Sequence, residues 1–128
     1  MADQQHTQPR DHVRLQLQGD TERERWLSLK ANGAFCVSAP DESMAPALRV
    51  GARLDFDSRL TPRDGDFALF VDAGGRAFVR EYRGKTAGGF LARPTNRKFL
   101  HSTLHARRDG LVVIGVLTGH TVGSRRAL

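Results

Sequence analysis

Cysteine is almost missing from this sequence: Cys36 stands alone among 128 residues. One thiol excludes an intrachain disulfide framework and a multi-cysteine zinc site, and it fits a reducing cytoplasm best. Long apolar runs are missing as well. The hydrophobic stretches are short and broken by charge, and none approaches the roughly 20 residues of a membrane-spanning helix. The opening residues, MADQQHTQPRDH, contain no apolar signal-peptide core. Lysine is scarce, with only Lys30, Lys85 and Lys98 among 20 basic side chains. The rest are arginines, and 14 acidic residues leave a net charge of +6. Because acids are scattered among them, the arginines read as a solvated surface before they read as a phosphate-binding patch. Aromatics are few, one Trp, one Tyr and seven Phe, which leaves little to stack on nucleic-acid bases.

The 39% of residues that are hydrophobic suffice for the core of one domain of about 100–150 residues. Residues 1–12 read as a disordered leader, without apolar periodicity. Val13, Leu15 and Leu17 alternate with Arg14, Gln16 and Gln18, the pattern of a half-buried strand. Thr21-x-x-Glu24 has the spacing of a helix capping box, with Trp26, Leu27 and Leu29 as the apolar face and Asn32-Gly33 as the stop. Beyond Gly33 the chain reads as β. Strands are expected around Phe35 and Val37, Leu54 and Phe56, Phe67–Val71, Ala77–Tyr82, Gly89–Ala92 and Leu111–Leu117. Pro62-Arg63-Asp64-Gly65-Asp66 and Asp72-Ala73-Gly74-Gly75 supply turns between them. The expected fold is mostly β: a strand and one short helix over residues 13–33, a sandwich or open barrel over 34–120, and a flexible tail at 121–128. Only one helix is readable before the β region, too few for a helix-turn-helix DNA reader.

Several chemical motifs are incomplete. Gly84-Lys85-Thr86 resembles the end of a phosphate-binding P-loop, but the required earlier glycine falls on Val79, and strands flank the segment. His101 and His105 are four apart, as in a helical metal pair, yet they lie in a β/loop region with no glutamate between them. They read as scattered surface histidines, and no metal or cofactor is expected. No Gly-x-Ser-x-Gly elbow supports a Ser–His–Asp triad. The segment from Ala39 to Gly51 is more informative: a strand end, an acidic turn at Asp41-Glu42, then Ser43-Met44 opening a helical turn that Gly51 closes. A serine there either caps the turn or presents an exposed hydroxyl beside free backbone N–H groups.

Ser43-Met44-x-Pro46 with Gly51, the Arg63-Asp64-Gly65-Asp66 turn, and Gly75-x-x-Phe78-Val79-Arg80-Glu81 follow one another in order. Arg93-Pro94-x-Asn96-x-x-Phe99 and Val112-Val113-Ile114-Gly115-Val116 complete the series. Together these motifs resemble the LexA/UmuD-type self-cleaving serine peptidases across about residues 34–118. The resemblance implies the C-terminal β fold of that family, with Ser43 at the nucleophile position. A lysine on a later strand, held neutral by desolvation, is the family's general base. Its position, 37 residues after the serine, is held here by Arg80, and a guanidinium stays protonated at any working pH. Two more departures accompany it. No Ala-Gly or Cys-Gly cleavage pair precedes the domain, and Asp41-Glu42 stands where the family often has Gly-Asp or Gly-Glu.

The resemblance with these departures implies a pseudo-peptidase: a homodimeric protein-interaction module linked to DNA-damage (SOS) or phage regulation. The family's partners are a recombinase filament or a lesion-bypass DNA polymerase, and a chain without a DNA reader resembles the UmuD branch. Leu111–Leu117 is expected as an edge or interface strand of the dimer. Arg80 is expected to fill the lysine's slot and to pair with Asp41 or Glu42. One alternative is an active serine peptidase with another base; Lys85 is the nearest lysine, but five residues from Arg80 it falls on the opposite strand face. Another is an Arg-rich regulator that contacts nucleic acid through Arg107-Arg108 and Arg125-Arg126.

Overall fold

The computed structural model describes residues 21–121, the side chains of Lys85 and Thr86 excepted. The expected leader, the strand at Val13–Leu17, all of the tail but Thr121, and Arg125-Arg126 lie outside the described residues. Helix α1 (Glu22–Ser28) begins at the capping box read from the sequence. The Thr21 hydroxyl accepts from the Glu24 N–H (3.0 Å), and the Glu24 carboxylate accepts from the Thr21 N–H (3.2 Å). A single 3-10 turn at Leu29–Ala31 follows and ends at Asn32-Gly33, where Gly33 takes φ +83°.

Among the described residues seven strands form one antiparallel sheet: β1 (Ala34–Ser38), β2 (Arg53–Asp57), β3 (Phe67–Val71), β4 (Ala77–Thr86), β5 (Gly89–Arg93), β6 (Leu104–His105) and β7 (Val112–Thr121). Their order across the sheet is β1-β2-β7-β3-β4-β5-β6. Among the described residues the sheet is not closed into a barrel, since β1 and β6 form its two ends. The apolar run Leu111–Leu117 is therefore no edge strand. β7 lies in the interior, paired with β2 on one side and β3 on the other, so its hydrophobicity serves the sheet's own core. Two helical pieces escaped the sequence reading: a 3-10 helix at Arg97–Ser102 and the four-residue α2 (Ala106–Asp109). Both are too short for a hydrophobic period to register.

The alternation of β3 explains its unbroken apolar run. Phe67, Leu69 and Val71 face a large core with Leu29, Phe35, Leu54, Phe56 and Ile114, while Ala68 and Phe70 face a second core with Ala92 and Leu111. A strand covered on both faces has no polar side to show. Phe35 stacks on Phe56 at 5.5 Å between ring centroids, and Phe70 meets Phe90 at 5.8 Å. Helix α1 and the 3-10 turn after it close the larger core, through Trp26 and Leu27 of the helix and Leu29 of the turn. Its first turn sits on the β3–β4 hairpin at Gly75, where a Cβ would come within 3.0 Å of the Arg23 backbone nitrogen. Among the described residues no helix is long and apolar enough to cross a membrane.

Candidate functional site

Between β1 and β2 the chain makes a long excursion, from Ala39 to Ala52, that carries Ser43. Its neck is clamped by hydrogen bonds from Ala39 N–H to Ala52 O (2.9 Å) and from Gly51 N–H to Ala39 O (3.0 Å). Inside it lies a set of turns and no helix, with one helix-like bond from Leu48 N–H to Met44 O (2.8 Å). Met44 and Leu48 pin the excursion to the main core. Ser43 therefore does not cap a helix, and its hydroxyl is buried, with the residue 1% exposed.

Arg80 reaches that hydroxyl from β4. It pairs across the sheet with Ala68, whose small side chain leaves room for a guanidinium on the same face. The residue is 3% exposed. Its Nη1 donates to Ser43 Oγ (2.7 Å) and to the Val79 carbonyl (2.9 Å), and its Nη2 donates to Ser102 Oγ (3.3 Å). The Phe78 ring centroid lies 5.3 Å from the guanidinium carbon, a cation–π contact. Buried Nε finds no acceptor among the described residues.

The expected ion pair with Asp41 or Glu42 is not direct. Among the described residues no carboxylate comes within ion-pair distance of Arg80, and Ser43 stands between the charges. The Asp41 carboxylate takes the Ser43 N–H (2.9 Å). Burial works to raise the Asp41 pKa, but the Ser43 hydroxyl and N–H, with the Arg80 charge behind them, hold it below its ordinary value. Burial pushes the Arg80 guanidinium down from its ordinary value, and the Asp41 charge opposes that shift. The result is a relay through Ser43: the cation donates to its hydroxyl, and its N–H donates to the Asp41 carboxylate.

This arrangement is poor equipment for acyl transfer. The oxygen of Ser43 is bonded to a cation that cannot take its proton. Asp41, which holds the Ser43 N–H, is made a weaker base by its shift. The Ser43 N–H, which an oxyanion hole would draw on, is already donated to Asp41. Lys85 lies near the far end of β4, beside the turn into β5.

Two further segments complete the site. Asn96 N–H donates to the Ser43 carbonyl (2.9 Å) and Asn96 Nδ2 to the Glu42 carbonyl (2.9 Å), so the Arg93–Phe99 motif is a brace for the serine loop. Ser102, at the end of the 3-10 helix, also donates to the Phe99 carbonyl (2.8 Å). Sequence reasoning missed Ser102, because a serine between His101 and Thr103 carries no pattern that points across the fold. Of the two histidines, His101 is on the 3-10 helix and stacks on Phe99, while His105 is in β6. They share no helical face. Among the described residues no three His, Cys, Asp or Glu side chains converge as a metal site would require.

Beside the relay runs a groove of about 800 Å³ between α1, the end of β1 and the β3–β4 hairpin. Trp26, Val37, Pro40, Leu69 and Phe78 give it an apolar floor, and Asp41 lies at its margin. The neighbouring half of β4 has an open side. Strand β5 pairs with β4 only from Glu81 onward, so the outward backbone groups of Ala77 and Val79 have no strand partner among the described residues. The Val79 carbonyl is instead covered by Arg80.

The pH dependence of the relay follows from Asp41. Its folded pKa is depressed, so its contribution to stability is complete above the ordinary carboxylate value and is lost as pH falls through the folded value. Ser43→Ala removes the side chain that helps to hold the Asp41 pKa down and is expected to move its titration upward. Carboxyl carbon chemical shifts followed by NMR from neutral to acid pH check this; an unmoved midpoint contradicts the relay.

The chain matches no known protein-family profile and no curated protein.

Proposed function

We propose that this chain is a non-catalytic relative of the LexA/UmuD-type serine peptidases, a cytoplasmic module that keeps the peptidase framework for homodimerisation and for binding other proteins. The observation that carries the reading is the 2.7 Å bond from Arg80 Nη1 to Ser43 Oγ. The two positions that the resemblance singles out are adjacent in space, which supports the LexA-type arrangement, and the residue in the lysine's place can only donate. The apolar groove and the open half of β4 support a binding role, since an extended segment can add to a free strand edge while its side chains enter a neighbouring apolar groove. A recombinase filament or a lesion-bypass DNA polymerase is the partner class that the resemblance suggests, in DNA-damage or phage regulation.

Because β7 is interior, a dimer of this module is formed by other surfaces, with β1 and β6 at the ends of the sheet. Sedimentation velocity at tens of micromolar protein is the test of assembly. A symmetric dimer is expected; a monomer throughout that range contradicts the dimeric part of the proposal.

A further inference from the structure

The net charge of the chain is not spread evenly. Residues 21–80 contain nine basic and nine acidic side chains, whereas residues 81–109 contain seven basic and only two acidic, a net of +5 within 29 residues. The topology gathers this second stretch at one end of the sheet: the far half of β4, then β5, the 3-10 helix, β6 and α2. The Arg107 N–H donates to the Gly88 carbonyl (3.3 Å), and Arg108 Nη2 reaches the Thr103 carbonyl (3.2 Å), which fastens α2 to both the β4–β5 turn and the 3-10 segment.

The acids present do not neutralise this end. Arg83 and Arg93 share Glu81 at 3.0 and 3.5 Å, and Arg108 takes Asp109 at 3.0 Å. Exposed Arg97, Lys98 and Arg107 meet no carboxylate among the described residues. Within the same stretch the Phe99 and His101 rings stack at 6.3 Å between centroids, with His101 exposed.

We propose that the β5–β6–α2 end of the sheet binds single-stranded nucleic acid through its phosphate backbone. Arginine forks suit phosphate oxygens, and the exposed ring of His101, backed by Phe99, offers a face for an unpaired base. An acidic protein is the weaker match. Protein interfaces centre on a buried apolar patch ringed by polar groups, and Leu100 is the one strongly exposed large hydrophobic residue of this stretch. This inference does not depend on the fate of Ser43.

Fluorescence anisotropy with a labelled oligothymidylate about 20 nucleotides long tests it. The full chain is expected to bind at about 50 mM salt and to lose affinity steeply by about 200 mM. The triple variant Arg97→Gln, Lys98→Gln, Arg107→Gln is expected to bind about tenfold or more weakly and to flatten the salt slope by two to three phosphate contacts, roughly one per charge removed. Lys30→Gln, Arg53→Gln, Arg59→Gln, placed at the opposite part of the sheet, removes as much charge and is expected to stay within about twofold of the parent. Three results overturn the proposal: no binding at the lower salt, equal losses in the two triple variants, or competition by polyglutamate as effective as competition by unlabelled oligonucleotide. Circular dichroism melts of each variant confirm that the comparison is between folded proteins.

Discussion

Arg80→Ala is expected to lower the free energy of unfolding by about 3 kcal/mol. Two opposing effects set that figure. Hydrogen bonds from a charged donor contribute about 1.5–3 kcal/mol each, and a truncated buried side chain leaves a cavity that adds to the loss. Ser43 Oγ, the Val79 carbonyl and Ser102 Oγ would all lose a partner. Against this, a buried cation without a direct counter-ion carries a desolvation cost of several kcal/mol, and Arg80 has an unbonded Nε besides. The cavity and the orphaned acceptors win in the alanine variant. Arg80→Met restores volume without charge, so it is expected to cost about 1 kcal/mol or less. Urea unfolding of both variants separates the effects. A loss under about 0.5 kcal/mol for Arg80→Ala would mean that the guanidinium does not hold the serine loop as described.

Phe70→Ala is expected to cost about 3–5 kcal/mol, a large part of the stability of a domain this size. The ring, on β3, is fully buried and packed with Ala68, Ala92 and Leu111 on the face away from Leu69. It also meets Phe90, which in turn meets Tyr82 at 5.2 Å between centroids. Thus the second core depends on Phe70 as the first depends on Phe56. Guanidinium unfolding with an unchanged denaturant slope is the expected signature. A cost near that of a surface substitution would show that only one face of the sheet is a true core.

Much of this was legible in the sequence, and the reasons are local. Thr21 and Glu24 announce α1 because a capping box needs only four residues. Phe35, Val37, Leu54 and Phe56 announce strands through alternation, and Gly75 with Asp72 announces the hairpin. What failed was placement. The run Leu111–Leu117 is equally apolar whether it lies at an edge or in the middle, and the pairing of β7 with β2 and β3 joins residues some sixty and forty-five positions apart. No local pattern encodes such partners. The helical turn expected after Ser43 is reduced to one i→i−4 bond, from Leu48 N–H to Met44 O, because Asp41 bonds the Ser43 N–H and Asn96 braces the loop from elsewhere.

The site shows the same division. The resemblance singled out Ser43 and Arg80, and the two meet in space. The expected acid partner was half right: Asp41 belongs to the network but is reached through the serine. Ser102 and the bracing role of Asn96 arise from a 3-10 helix too short to be seen in sequence.

The most direct test of the account is whether Ser43 performs any acyl chemistry. Intact-mass spectrometry would follow the purified protein over time at neutral and alkaline pH, with and without an activated recombinase–DNA filament, beside Ser43→Ala and Arg80→Lys. The account predicts that wild type stays whole in every condition, because Arg80 offers its bound hydroxyl no base. Self-cleavage of wild type that disappears in Ser43→Ala would contradict it and would require another base to reach the serine.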